Sequence, residues 1–174
     1  MSGERRPRRF FLIGFMGVGK TSVGRDVART LKVPFYDLDG LIEKRLGKPI
    51  AEIFKEDGES AFRTEETQRL KEVAASEPGI VATGGGAFTR TENREIIHSS
   101  GVSIWLDAPT ELILERGGRS AHRPLWASAE EARILLEKRL PHYRMADVRF
   151  DLNRWSPKEA AEQLIKVLET HNHA

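Results

Sequence analysis

One stretch decides how this sequence folds: Gly14-Phe15-Met16-Gly17-Val18-Gly19-Lys20-Thr21. It matches the pattern G-x-x-x-x-G-K-[ST], whose glycines let consecutive backbone N–H groups point at phosphate oxygens. In this pattern the lysine, here Lys20, reaches the β and γ phosphates, and the hydroxyl of Thr21 ligates Mg²⁺. Because an apolar strand precedes the stretch and an amphipathic helix follows it, we interpret it as a P-loop rather than a chance glycine-rich turn.

Around the P-loop, short apolar runs alternate with amphipathic segments, which indicates an α/β domain with an open parallel sheet covered on both faces. We therefore expect a three-layer α/β/α sandwich. The predicted strands cover residues 10–15, 34–37, 79–83, 102–106 and 148–151. The predicted helices cover residues 21–31, 41–46, 50–54, 59–75, 92–98, 110–116 and 128–144, and a last one begins after Ser156-Pro157.

The composition limits the classes of protein to which the chain can belong. The chain has 174 residues, 39% hydrophobic and 31% charged, which is typical of one soluble globular domain. There is no cysteine, which excludes disulfides and a thiolate metal site and suits the reducing cytoplasm, where we expect the protein. No segment reaches the roughly 20 apolar residues of a membrane span.

The two ends of the chain are polar. We expect residues 1–9 to form a flexible basic arm, residues 10–170 a single domain, and residues 171–174 a polar tail. The basic segment 5–9 is the only feature that favours nucleic acid or lipid, and no second basic block or interleaved aromatic residue supports it. We therefore expect neither a nucleic-acid partner nor a membrane.

Two aspartates, Asp37 and Asp39, follow the second predicted strand. Ligands of open α/β sheets bind beyond the carboxyl ends of the strands, so this pair should face the same crevice as the P-loop. One carboxylate could hold Mg²⁺ or its waters, and the other could accept a proton from an attacking hydroxyl. Aspartate before a helix is often only an N-cap, a role that we leave open for Asp39.

The third strand ends in Gly84-Gly85-Gly86. A tight turn that needs positive φ would explain one or two of these glycines. Three in a row would also let a substrate lie against bare backbone N–H groups, and we favour that interpretation.

Two arginines stand out by position. Arg139 falls within the apolar stripe of its helix, where a guanidinium needs an anionic partner from the protein or from a ligand. Arg63 has Glu66 one turn further on, so an ion pair within the helix is as reasonable as a ligand-binding role. Residues 117–127 are basic and rich in glycine, and we expect a mobile lid whose arginines cover the nucleotide.

Taken together, these segments resemble the shikimate kinase family over almost the whole chain. The segments that carry the resemblance are Gly14–Thr21, Asp37-Leu38-Asp39, Phe62-Arg63, Gly84-Gly85-Gly86, Arg123-Pro124-Leu125 and Arg139-Leu140-Pro141-His142-Tyr143. The resemblance implies a P-loop, NMP-kinase-like fold with a five-stranded parallel sheet. It also implies transfer of the ATP γ-phosphoryl group to the 3-hydroxyl of shikimate, in aromatic amino acid biosynthesis, by a monomer that uses Mg²⁺.

The resemblance also implies a role for each matching residue. Asp39 would be the base, assisted by Lys20 and Arg123, and Thr21 and Asp37 would hold Mg²⁺. The nucleotide would be bound by Gly17, Val18, Gly19, Lys20, Thr21, Ser22, Arg116 and Arg123. Shikimate would be bound by Asp39, Phe54, Phe62, Arg63, Gly85, Gly86 and Arg139, with the arginines on its carboxylate.

Two alternatives remain. A kinase of the same fold for another small acceptor, such as gluconate, would also suit a pair of arginines. A nucleotide-dependent switch is less favoured, because the sequence lacks an N-K-x-D segment for guanine and keeps Lys20, Thr21 and both aspartates. The chain departs from the family pattern at Trp126 and Trp155, so adenine contacts near Arg154 and Trp155 stay open.

Overall fold

The computed structural model describes residues 8–117 and 127–172, and its centre is a parallel sheet. The sheet has five strands in the order β2-β3-β1-β4-β5, and every neighbouring pair is parallel. This confirms the predicted fold class. The strands are β1 (Phe10–Ile13), β2 (Phe35–Asp37), β3 (Ile80–Ala82), β4 (Val102–Asp107) and β5 (Val148–Asp151).

Helices connect the strands and cover both faces of the sheet. The helices are α1 (Lys20–Leu31), α2 (Leu38–Leu46), α3 (Ile50–Glu56), α4 (Gly58–Ala75), α5 (Thr91–Ser100), α6 (Thr110–Gly117), α7 (Ala129–Tyr143) and α8 (Pro157–Asn172). Short 3₁₀ turns lie at Ala87–Thr89 and Leu152–Arg154. Within the described part of the chain, no helix is long and apolar enough to cross a membrane.

The central strand β1 shows why the domain has three layers. All four of its residues are buried, and consecutive side chains of a strand point to opposite faces. Both faces are therefore covered. On one face α1 packs closely, since a Cβ on Gly24 would lie 2.9 Å from side-chain atoms of both Leu12 and Phe35.

Three local predictions need correction. The first strand ends at Ile13, two residues earlier than expected, because the backbone already enters the P-loop at Gly14, where φ is 149°. Helix α2 begins at Leu38, so Asp39 lies in the first turn of a helix and not at a strand end. Arg9, which the sequence assigns to the flexible arm, is buried, because backbone carbonyls of Ser76 and Ser100 accept its guanidinium protons.

Candidate active site

The carboxyl ends of β1, β2 and β3 open into one cleft of about 470 Å³. Parallel strands bring their carboxyl ends to the same edge of the sheet, so the P-loop, the Asp37–Asp39 segment and the glycine tripeptide meet there. Among the lining residues are most of the predicted site residues, namely Gly17, Gly19, Lys20, Thr21, Ser22, Asp37, Asp39, Phe54, Phe62, Arg63, Gly85, Gly86 and Arg139.

The P-loop has the conformation that its glycines predict. Gly17 and Gly19 have φ values of 80° and 107°, a region that is strained for residues with a Cβ. Helix α1 begins directly afterwards, so its positive dipole end faces the cleft. The Lys20 ammonium group is buried and donates to the carbonyl oxygens of Gly14 and Phe15 at 2.6 and 2.9 Å, which holds it beside the loop.

Two predicted nucleotide residues, Val18 of the P-loop and Arg116 of α6, are not part of the cleft wall. Val18 is buried, and its carbonyl accepts a hydrogen bond from Arg116 at 3.3 Å. Arg116 is thereby held against the P-loop. Arg123 and the rest of the predicted lid, residues 118–126, lie outside the described residues.

The two aspartates occupy different structural positions. Asp37 is the N-cap of α2, and its side chain accepts from the Gly40 N–H at 3.4 Å. The structure thus assigns the capping role to Asp37, whereas Asp39 points its Oδ1 into a buried position without a hydrogen-bond partner among the described residues. Burial, followed by the negative charges of Glu66 and Asp37, raises the pKa of Asp39 to about 7, although the Lys20 charge opposes this shift.

The glycine tripeptide is explained by space and not by backbone conformation. None of its three residues has a positive φ, so the explanation by a strained turn is wrong. A Cβ on Gly84 would lie 2.6 Å from Glu66 Oε2 and 3.0 Å from Asp39 Oδ1. On Gly85 it would lie 3.0 Å from Arg139 Nη1, and on Gly86 2.4 Å from Arg63 Nη2. The three glycines therefore let four charged side chains approach the backbone.

Arg63 and Arg139 reach this tripeptide from different helices. Arg63, on α4, donates from Nη1 to Glu66 Oε1 at 2.8 Å. Arg139, on α7, is 5% exposed, with its guanidinium 5.5 Å from the centre of the Phe15 ring. Its Nη1 has no hydrogen-bond partner among residues 8–117 and 127–172. A buried donor that faces a cleft in this way is suited to bind an anion.

An aromatic wall closes the other side of the cleft. The rings of Phe54 and Phe62 are 4.7 Å apart, and they pack with buried Ile42 and Ile53 of the small second core. The Arg63 guanidinium lies 5.2 Å from the centre of the Phe62 ring. A small ligand in the cleft could therefore contact the two guanidinium groups at one end and the two phenylalanine rings along its side.

Sequence reasoning missed several residues of the cleft. Helix α3 contributes Ile50 and Ala51 to the cleft. The sequence did contain a signal for them, because both are apolar and lie within one turn of the predicted site residue Phe54. Glu43 also lines the cleft, one turn beyond Asp39. A second cleft of about 590 Å³ lies between β4, β5 and α7, and no predicted site residue lines it.

Comparisons with known proteins identify the family of the chain. The family model for shikimate kinase matches residues 16–169. A shikimate kinase of Thermodesulfovibrio yellowstonii is 42% identical over 161 residues, which are 91% of this chain and 93% of that protein. One from Cereibacter sphaeroides is 40% identical and covers 91% of this chain and 81% of its own length.

Solved structures give the same result. The structure of shikimate kinase from Acinetobacter baumannii in complex with shikimate has a TM-score of 0.90 and 36% identity, covering 96% of each chain. A gluconokinase from Sinorhizobium meliloti has a TM-score of 0.61 and 20% identity, covering 97% of this chain and 95% of its own, which shows a shared fold alone. The sequence and structural matches extend over nearly the whole chain, and the chain belongs to the shikimate kinase family, whose members are ATP-dependent kinases.

Proposed function

We propose that this chain transfers the γ-phosphoryl group of ATP to the 3-hydroxyl of shikimate, which gives shikimate 3-phosphate and ADP. One observation carries the proposal: buried Arg139 and ion-paired Arg63 flank the glycine tripeptide, in the same cleft as Lys20 and Asp39. A hydroxylated carboxylate fits this arrangement, because its carboxylate needs cationic partners such as the arginines and its hydroxyl needs a proton acceptor such as Asp39.

The acceptor would lie between the arginines and the aromatic wall. Arg63 and Arg139 would bind its carboxylate, and the backbone of Gly85 and Gly86 would lie against it. The ring would pack on Phe54 and Phe62, which line the same cleft. Arg139 has the stronger support of the two arginines, because its buried Nη1 lacks a hydrogen-bond partner in the described part of the chain.

Asp39 would accept the proton of the attacking hydroxyl. A general base works best when its pKa lies near the operating pH. Burial and the negative charges of Glu66 and Asp37 together raise the pKa of Asp39 to about 7, so the aspartate is a stronger base than an exposed one. Lys20, whose charge acts on Asp39 in the opposite direction, would move its hydrogen bonds to the nucleotide phosphates.

The nucleotide would occupy the P-loop. The N–H groups of Gly17, Val18 and Gly19 and the side chains of Lys20, Thr21 and Ser22 would bind its phosphates. Arg116, held against Val18, would lie near the adenine. The role of Arg123 stays a prediction from the family resemblance.

Thr21 and Asp37 would hold Mg²⁺. Both residues line the cleft, and their side-chain oxygens are the hard ligands that Mg²⁺ prefers. In the described residues no group of three or more His, Cys, Asp or Glu could hold a metal by itself. A site of two protein oxygens therefore suits an ion whose other ligands are phosphates and water. When bound, the ion neutralises charge on the transferring phosphoryl group.

We also propose that the enzyme acts as a monomer in the cytoplasm, its single domain reaching from about residue 10 to 170. The absence of cysteine is compatible with that reducing compartment. Buried Arg9 moves the start of the domain one residue earlier, and α8 extends its end to Asn172, into the predicted tail.

The test is an ADP-release assay with ATP, Mg²⁺ and one acceptor at a time: shikimate, gluconate or AMP. We expect turnover with shikimate and only background ADP release with the other acceptors and with no acceptor. Turnover with gluconate and none with shikimate would replace the proposal with a gluconate kinase. Equal ADP release with and without acceptor would instead indicate a hydrolase.

A further inference from the structure

Tyr143 is a buried residue next to the acceptor site that the mechanism above does not use. It is the last residue of α7, 1% exposed, and its hydroxyl donates to the carbonyl oxygen of Gly85. It follows Arg139 by four residues, so both side chains project from the same face of the helix. The two residues therefore approach the glycine tripeptide together.

Gly85 is the point where the two side chains meet. Its carbonyl accepts from Tyr143, and a Cβ on the same residue would lie 3.0 Å from Arg139 Nη1. Burial raises the pKa of Tyr143 to about 12, and the charge and hydrogen bonding of the Arg139 guanidinium oppose this shift. Tyr143 thus stays a neutral hydroxyl that can donate to Gly85 and face Arg139 with its oxygen.

Tyr143 contacts this site without lining the acceptor cleft. Arg139 and Gly85 line the acceptor cleft, whereas Tyr143 lines the second cleft. Its ring packs 6.2 Å from the ring of Trp105 on β4, which fixes the hydroxyl relative to the sheet. A ligand in the acceptor cleft would therefore meet Arg139 and Gly85, and their positions would depend on Tyr143.

We propose that Tyr143 is a positioning residue for the acceptor: through its hydroxyl it fixes the Arg139 guanidinium and the Gly85 backbone in the orientation that binds the acceptor carboxylate. This inference rests on the proposed function. Its physical basis is that a long arginine side chain loses less rotational freedom on binding when a neighbour already holds it in place.

The chain supplies a matched control, because it has only two tyrosines and the other makes the same kind of bond. The Tyr36 hydroxyl donates to the carbonyl oxygen of Glu77 at 2.9 Å, at an exposed site away from the cleft. Tyr143→Phe and Tyr36→Phe each remove one hydroxyl and keep the ring. The measurements are kcat, the KM values for shikimate and ATP, and the thermal unfolding midpoint.

We expect Tyr143→Phe to raise the shikimate KM about three- to tenfold, the equivalent of one lost hydrogen bond, with the ATP KM and kcat nearly unchanged. Tyr36→Phe should leave all three values unchanged. Equal increases in both KM values with a lowered unfolding midpoint would overturn the proposal in favour of a packing role, as would an unchanged shikimate KM.

A double-mutant cycle tests whether the effect passes through Arg139. In an Arg139→Lys background, Tyr143→Phe should change the shikimate affinity less than about twofold, because the guanidinium that it positions is gone. Affinity is measured by calorimetry, so the cycle does not require turnover. If Tyr143→Phe weakens shikimate binding equally in the wild-type and Arg139→Lys backgrounds, Tyr143 does not act through Arg139 and the proposal is overturned. A wild-type enzyme that binds but does not phosphorylate shikimate would overturn the proposed function and leave this cycle interpretable.

Discussion

Arg63 and Glu66 form an ion pair of 2.8 Å within one turn of α4, and Glu66 is completely buried. The sequence left two explanations for Arg63, an intrahelical ion pair and a ligand-binding role. The structure contains the pair and also places Arg63 on the wall of the cleft, so the two explanations are compatible. Glu66 neutralises Arg63, whose guanidinium remains beside Gly86.

Removal of Glu66 should therefore destabilise the fold. Glu66→Ala removes the buried carboxylate of the mostly buried Arg63 guanidinium and leaves it only the exposed carboxylate of Glu59 at 3.4 Å. We therefore expect a loss of about 2–4 kcal/mol in the free energy of unfolding. Glu72→Ala is the matched control, since Glu72 pairs with Arg69 on the same helix at the same spacing and 2.8 Å. The two arginines are equally buried, at 13% exposed, but the Glu72 side chain is 52% exposed. Glu72→Ala should lower the free energy of unfolding by only about 0.5 kcal/mol. Urea unfolding measures both, and equal losses would show that burial of the pair does not matter.

Gly86 should be required for acceptor binding because of space. In Gly86→Ala the new methyl group would lie 2.4 Å from Arg63 Nη2 and 2.8 Å from its Cζ, so the guanidinium must move. We expect the shikimate KM to rise at least about tenfold while the ATP KM changes little.

Gly40→Ala provides the control for Gly86→Ala. A Cβ on Gly40 would make only ordinary contacts, the nearest at 3.6 Å, and alanine favours the helix in which Gly40 lies. This variant should keep its activity and gain slightly in stability. A normal shikimate KM in Gly86→Ala would mean that Arg63 has room to adjust without losing the acceptor.

The sequence was sufficient to predict the sheet, the P-loop and the family, because each follows from a local pattern. Apolar runs between helical segments indicated the parallel sheet, and Gly14–Thr21 carries its phosphate chemistry in consecutive residues. The predicted cleft residues came together because the carboxyl ends of parallel strands share one edge. This part of the prediction needed no knowledge of side-chain packing.

Tertiary packing decided the features that the sequence could not indicate. Asp39 belongs to a helix because Asp37 caps that helix at the residue where β2 ends. The glycine tripeptide could be predicted as functional, but its reason, the approach of Arg139 from α7 and Arg63 from α4, depends on contacts between distant segments. Tyr143 was part of the quoted family segment, yet its bond to Gly85 spans 58 residues and leaves no local pattern.

The reaction should depend on pH through Asp39. Because the pKa of Asp39 is raised to about 7, the carboxylate that accepts a proton is fully present only above that pH. We expect kcat/KM to rise about tenfold per pH unit below 7 and then to level off. Asp39→Asn should lower kcat by about 10²–10⁴ and leave the ATP affinity nearly unchanged. A pH profile of wild-type kcat/KM without an inflection near 7 would remove Asp39 from the role of base.

The same raised pKa predicts a stability effect of defined sign. Between the ordinary aspartate pKa of 3.8 and the folded pKa of about 7, folded Asp39 binds more protons than unfolded Asp39. Its contribution to stability is therefore present at low pH and is lost as the pH rises through 7. Asp39→Asn cannot acquire this buried charge. The thermal unfolding midpoint of the variant minus that of the wild type should therefore become larger between pH 5 and pH 8. Asp26→Asn, on the exposed face of α1, should show little such increase. A midpoint difference for Asp39→Asn that is constant over this range would contradict the shift.

Arg9 should stabilise the fold without affecting the reaction. Its guanidinium is buried and donates to the carbonyl oxygens of Ser76 and Ser100, at the C-terminal ends of α4 and α5, where the helix dipoles favour a positive charge. Arg9→Ala leaves these carbonyls without their donor, so we expect a loss of about 1–3 kcal/mol in urea unfolding. The KM values should not change, because Ser76 and Ser100 lie at the ends opposite the cleft. Arg8→Ala, at an exposed position, is the control, and equal stability of the two variants would show that Arg9 is only a covered surface residue.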